Sequence, residues 1–115
     1  MNDRELLELA AKAAGIEYLG YQPECSYRVT GIGDTGAPLL ESWNPLTDDG
    51  DALRLAVKLG KAIEFYFYKG AVIAKYQTRD GVGYKWLKED AEDDPYAATR
   101  RAIVRAAAEI GKEMK

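Results

Sequence analysis

The side chains able to do chemistry in this 115-residue chain are its carboxylates, arginines, lysines and tyrosines, because it has no histidine and a single cysteine, Cys25. Without imidazole there is no Ser-His-Asp or Cys-His pair, no imidazole metal ligand, and no side chain whose unperturbed pKa lies near neutrality. One thiol excludes an intrachain disulfide and a thiolate cluster for zinc or iron–sulfur chemistry. Gly31-Ile32-Gly33-Asp34-Thr35-Gly36 has the G-x-G-x-x-G spacing that, between a strand and a helix, brings backbone N–H groups to a dinucleotide pyrophosphate. Here Ala37 and Pro38 follow, and no parallel βαβ unit can be drawn around the glycines. A hairpin loop is the expectation, and no cofactor is assigned.

Two acidic clusters invite a metal reading. Asp48, Asp49 and Asp51 flank Gly50, but an EF-hand needs ligands at alternate positions and a Glu at the twelfth; helix capping accounts for the same residues. The run from Glu89 to Asp94 reads as a solvated loop, and no metal ligand is assigned. With 19 acidic residues in the chain, some carboxylates must lie close together, so proximity alone does not argue for acid–base catalysis. No catalytic residue is assigned, and the expectation is a chain that is not an enzyme.

Arg100, Arg101 and Arg105 with Lys85 and Lys88 are the residues able to form a basic patch. The helix-strand-strand-strand-helix order expected from residue 48 onward superficially resembles double-stranded RNA-binding domains. The last helix is opened by Glu92-Asp93-Asp94 rather than by basic residues, and the net charge is −3. Both argue against nucleic-acid binding, whose affinity comes chiefly from cations displacing counterions along phosphates. Among the eight tyrosines and two tryptophans, Tyr66, Tyr68, Tyr76, Tyr84 and Trp86 either cover a sheet or form an interface, since such rings join large apolar area to a polar handle. The candidate partner-binding set is Tyr84, Trp86, Glu92, Asp93, Arg101 and Arg105.

The elements that must position these residues can be read from spacing. Leu6, Leu9, Ala10 and Ala13 give an amphipathic helix over 3–14, with Asn2 as cap, Glu5 reaching back and Gly15 ending it. Residues 16–43 hold one or two short strands, over 26–31 and 39–43, around a Gly-rich turn. Asp48 opens a second helix to about Leu59 whose broad apolar surface, Leu53, Leu55, Ala56, Val57 and Leu59, predicts that it is largely buried. Strands over 62–68, 71–78 and 84–89 are divided by Lys69-Gly70 and Asp80-Gly81, which are hairpin signals. In the first of these Ile63, Phe65 and Phe67 alternate with Tyr66 and Tyr68, so neither face is polar and cover on both sides is expected. Asp94 caps, and Pro95 starts, a closing helix to about Ile110. One domain over 1–115 fits the length. No apolar run approaches a membrane span, and Met1-Asn2-Asp3-Arg4-Glu5 lacks the layout of a secretion signal, so the cytoplasm is the expected location.

Two segments, Trp43-Asn44-Pro45-Leu46-Thr47-Asp48-Asp49-Gly50-Asp51-Ala52-Leu53 and Asp94-Pro95-Tyr96-Ala97-Ala98-Thr99-Arg100-Arg101-Ala102-Ile103, resemble the phage ABA sandwich domain, a small domain of phage and prophage proteins. The resemblance covers about residues 43 to 110 and rests on caps and packing residues. It implies an α+β fold with a three-layer α/β/α sandwich, and a phage or prophage origin; it carries no catalytic residues. The expected fold is therefore a mainly antiparallel sheet of 3–5 strands, with the first helix on one face and the other two opposite. The expected function is non-enzymatic binding of a host or phage protein, including inhibition of a bacterial defence system; the alternative is a small-ligand or nucleotide-binding protein.

Overall fold

Asn2 Oδ1 accepts from the Glu5 backbone N–H at 2.9 Å, which satisfies one of the free donors of the first turn, and helix α1 (Asp3–Ala14) follows. Gly15 at φ 70° takes the left-handed position that ends it. The computed structural model describes residues 2–22, 25–78 and 83–114. Strands β1 (Tyr18–Gln22), β2 (Cys25–Ile32) and β3 (Pro38–Ser42) form one antiparallel sheet, helix α2 (Asp49–Leu59) comes next, and strands β4 (Ile63–Tyr68), β5 (Ala71–Gln77) and β6 (Tyr84–Asp90) form a second. Helix α3 (Pro95–Glu113) follows, with Asp94 Oδ1 accepting from the N–H groups of Tyr96 and Ala97.

The α+β class is as expected, and the strands are antiparallel, but the single sheet is replaced by two sheets of three strands, ordered β1-β2-β3 and β4-β5-β6. Short stretches of sequence separate consecutive strands within each triplet, and no residue pattern specifies a pairing across α2. Strand β1 was not anticipated: Gly20 and the shift in its pairing with β2 between Gly20 and Gln22 break the alternation that marks a strand. The Gly31 to Gly36 segment ends β2 and enters the β2–β3 hairpin turn, with Gly33 N–H donating to Ala37 O at 2.8 Å and Gly36 at φ 83°. The expected Asp80-Gly81 turn lies outside the described residues.

Helix α1 packs directly on α3 rather than across a sheet from it. Gly111 makes this approach feasible: a Cβ there would lie 2.8 Å from the Leu9 carbonyl carbon and closer still to its oxygen. Alanines line the rest of the contact, Ala10, Ala11 and Ala14 from α1 against Ala107 and Ala108 from α3, all buried. With Leu6, Leu7, Trp43, Leu55, Ile103 and Val104 they form the first core cluster. The second lies between α3 and the β4–β6 sheet, where Ile63, Val72, Ala74 and Tyr76 meet Ala98, Ala102 and Ala106. Helix α3 lines both clusters.

Helix α2 is less buried than its composition predicts. It turns Asp51, Ala52 and Leu55 inward, and leaves Leu53 64% and Val57 71% exposed. Leu53 and Val57 are four residues apart and so share one stripe on the side away from the core.

Candidate functional site

The β4–β6 sheet has one face under α3 and one open. Register fixes which residues share the open face: Glu64 lies beside Lys75 and Trp86, Tyr66 beside Ile73 and Lys88, and Gln77 beside Tyr84. Alternation along each strand then places Tyr66, Lys75, Tyr84 and Trp86 on one surface, opposite the side chains that meet α3. Cover on both sides of these strands, expected from the apolar content of both faces, is therefore corrected: Trp86 is 59% and Tyr84 49% exposed.

These rings are organised around Lys75. Its Nζ lies 4.2 Å from the centre of the Tyr84 ring and 5.3 Å from that of Trp86, within reach of the negative face of each. The same ammonium is 4.0 Å from Glu64 Oε2, and Tyr66 Oη donates to that carboxylate oxygen at 2.7 Å. This hydrogen bond, first, together with the Glu64 charge, holds the Tyr66 phenol above its ordinary range. Tyr66 and Trp86 lie 5.8 Å apart at an interplanar angle of 33°. The result is a flat aromatic surface with one cation threaded through it and one carboxylate at its edge. Such a surface offers broad apolar contact and a few directed polar groups; it holds no paired acid and base.

The six residues expected to share a partner surface do not lie together. Tyr84 and Trp86 belong to the open face. Arg105 lies on the covered side of the sheet, where its Nη1 donates to Glu89 Oε2 and to the Lys88 carbonyl oxygen at 3.2 Å. Arg101 reaches Asp3 Oδ1 at 3.2 Å and Glu89 Oε1 at 3.7 Å. These two arginines are neutralised ties between α3, β6 and α1. Arg100 is drawn off likewise, to Asp49 at 2.6 Å and the Leu46 carbonyl at 3.0 Å, so the basic patch is dispersed. Glu92 and Asp93 are exposed in the turn between β6 and α3, with Glu92 set against Gly70 of the β4–β5 turn. Sequence reasoning missed Lys75 as the centre of the aromatic face; its signal is the register, which places it opposite both Glu64 and Trp86.

A cleft of about 800 Å³ lies between the first sheet and the start of α2, lined by Tyr27, Glu41, Trp43, Asp48, Asp51 and Arg54 among others. Its polar groups are occupied by the fold. Asp48 Oδ2 caps α2 through the Asp51 N–H at 2.8 Å. Buried Asp51 accepts from the Asn44 N–H at 2.9 Å and from Arg54 Nη2 at 2.7 Å. Among the described residues no group of three or more Asp, Glu, Cys or His is placed to hold a metal ion, and no helix is long and apolar enough to cross a membrane.

Compared with known proteins, the chain matches no family model, no curated protein and no solved structure. The likeness to the phage ABA sandwich domain accordingly rests on the two sequence segments that carry it.

Proposed function

We propose that this chain works without catalysis, as a binding protein whose open β4–β6 face docks a host or phage protein. The observation that carries the reading is the exposure of Tyr84 and Trp86 on a face that no helix among the described residues covers, with Lys75 between their rings. Large aromatic side chains left in water on a regular sheet are the anchors that protein interfaces use most, because they desolvate much apolar area at a small cost in side-chain entropy. A three-layer sandwich with a second cover on this face would be completed by the partner rather than by the chain. The phage origin implied by the two motifs, and interference with a bacterial defence complex, fit such a surface. The cleft beside Asp51 supports a small-ligand reading less well, since the Asp48 and Asp51 carboxylates there already serve the backbone and Arg54.

The test is capture from bacterial lysate with the tagged chain, compared across wild type, Trp86→Ala and Leu53→Ala. A stoichiometric protein retained by wild type and Leu53→Ala but reduced at least ~10-fold by Trp86→Ala supports the open face. A partner held equally by all three refutes it.

A further inference from the structure

The open face is one unpartnered surface of the second sheet; its β4 edge is another, and the two are separable. Every sheet edge offers a row of N–H and C=O groups to a further strand, and proteins normally blunt such edges with bulges, Pro, Lys or other charges. The other edges here carry these devices. Strand β1 is bulged near Gly20, and β3 starts at Pro38 and meets β2 through a second shift between Val29 and Gly31. Strand β6 carries Lys85, Lys88, Glu89 and Asp90, and Arg105 occupies the Lys88 carbonyl. Strand β4 has no bulge, Pro or Lys, and its one charge, Glu64, is engaged by the Tyr66 hydroxyl. Ile63-Glu64-Phe65-Tyr66-Phe67-Tyr68 pairs with β5 in unbroken register, contains one charge and no Pro or Lys, and leaves Phe67 69% exposed.

Which of its backbone groups point outward follows from β5. Thr78 N–H donates to Gly83 O at 2.9 Å and Gly70 O accepts from Ala91 N–H at 3.0 Å, so the even-numbered residues of that hairpin arm face β6. The odd-numbered ones, Ala71, Ile73 and Lys75, face Tyr68, Tyr66 and Glu64 of β4. By the alternation of antiparallel pairs, Ile63, Phe65 and Phe67 turn their N–H and C=O groups away from β5.

From this we infer that β4 pairs antiparallel with β4 of a second copy, about a two-fold axis at Phe65, joining the two β4–β6 sheets into one of six strands. The register is set by two conditions: outward groups must meet outward groups, and the helix-covered faces must stay on one side. Centring on Phe65 meets both over Ile63 to Phe67. It places Phe67 opposite Ile63 of the other copy, and Glu64 opposite Tyr66 of the other copy, with no like charges facing between Ile63 and Phe67. The occupant is a second copy rather than a foreign strand because β4 is complementary to itself in this register: the outward N–H and C=O groups of Ile63, Phe65 and Phe67 meet their own counterparts, the strand's single carboxylate meets a tyrosine, and Phe67, 69% exposed, gains cover. A strand pair from Ile63 to Phe67, about 17 Å long, lies at the low end of specific interfaces, so the dimer is weak and reversible, micromolar at best.

Sedimentation of the intact chain from ~1 μM to ~1 mM tests this, the range spanning association of that strength. The expected result is a shift from 12.7 kDa toward twice that mass, weakened at least tenfold by Phe67→Lys, which places a cation on the edge, and unchanged by Trp86→Ala. Circular dichroism and a melting curve verify that each variant is folded. The register is read by oxidation of Glu64→Cys/Tyr66→Cys in a Cys25→Ser background: the paired cysteines should cross-link two copies, and Glu64→Cys alone should not, since diagonal neighbours lie beyond disulfide reach. A monomer throughout the range, a dimer indifferent to Phe67→Lys, loss of the dimer on Trp86→Ala, or equal cross-linking by the single cysteine would each overturn the inference.

Discussion

Replacing Gly111 by alanine should destabilise the protein even though alanine is the better helix former. The added Cβ would stand 2.8 Å from the Leu9 carbonyl carbon and 3.3 Å from its Cα, where carbon atoms in contact prefer 3.5–4.0 Å. The obstacle is backbone, so no rotamer change relieves it. Helix α1 must move off α3 by about 1 Å, loosening Ala10, Ala11, Ala107 and Ala108, all within 1% of full burial. Overpacking of this kind costs about 3 kcal/mol, and the helix propensity gained returns about 1 kcal/mol, for a net loss of about 2 kcal/mol. For a domain of this size that corresponds to a fall in Tm of roughly 8–10 °C by thermal circular dichroism. Leu9→Ala should not rescue the variant, because the clash is with the main chain. A Gly111→Ala protein that melts at or above wild type would refute the close-packed helix contact.

Asp94→Ala removes the acceptor for two N–H groups at the start of α3 and should cost about 1 kcal/mol in urea unfolding. Asp51→Ala leaves the Asn44 N–H without its acceptor beside a buried site and should cost about 2 kcal/mol, with Leu53→Ala on the exposed side of the same helix near neutral. Alkaline pH should weaken the fold through Tyr76, whose phenol is held above its ordinary range by burial first and by Glu109 next. A raised folded pKa means that its contribution is complete below about pH 10 and is lost as pH rises through the folded value. The denaturant midpoint should therefore fall as pH rises above about 10, and fall less in Tyr76→Phe.

What could be read from the residues was whatever depends on local chemistry. The caps Asn2, Asp48 and Asp94 sit where their side chains satisfy the first N–H groups of α1, α2 and α3, and Gly70 at φ 77° turns β4 into β5. Long-range placement was less legible. The contact of α1 with α3 depends on Gly111 meeting Leu9 across most of the chain, and a lone glycine in an alanine-rich helix does not name its partner. The exposure of Leu53 and Val57 was hidden because a wide apolar arc does not say how much of itself is used. Of the candidate partner residues, Tyr84 and Trp86 share the open face, whereas Arg101 and Arg105 are drawn to Glu89, a pairing that residue type could not show because the carboxylate lies on another element.

That α3 lines both core clusters has a consequence for the order of events during synthesis. Every other described element precedes α3, so a growing polypeptide exposes the inner face of the β4–β6 sheet and the alanine face of α1 before the helix that covers both emerges. Strand β4, with its bare aromatic edge, is among the segments left waiting. The interval between translation of β4 and arrival of α3 is thus when the chain most needs a holdase, and shortening it by faster decoding of the 69–94 stretch should raise the yield of native protein.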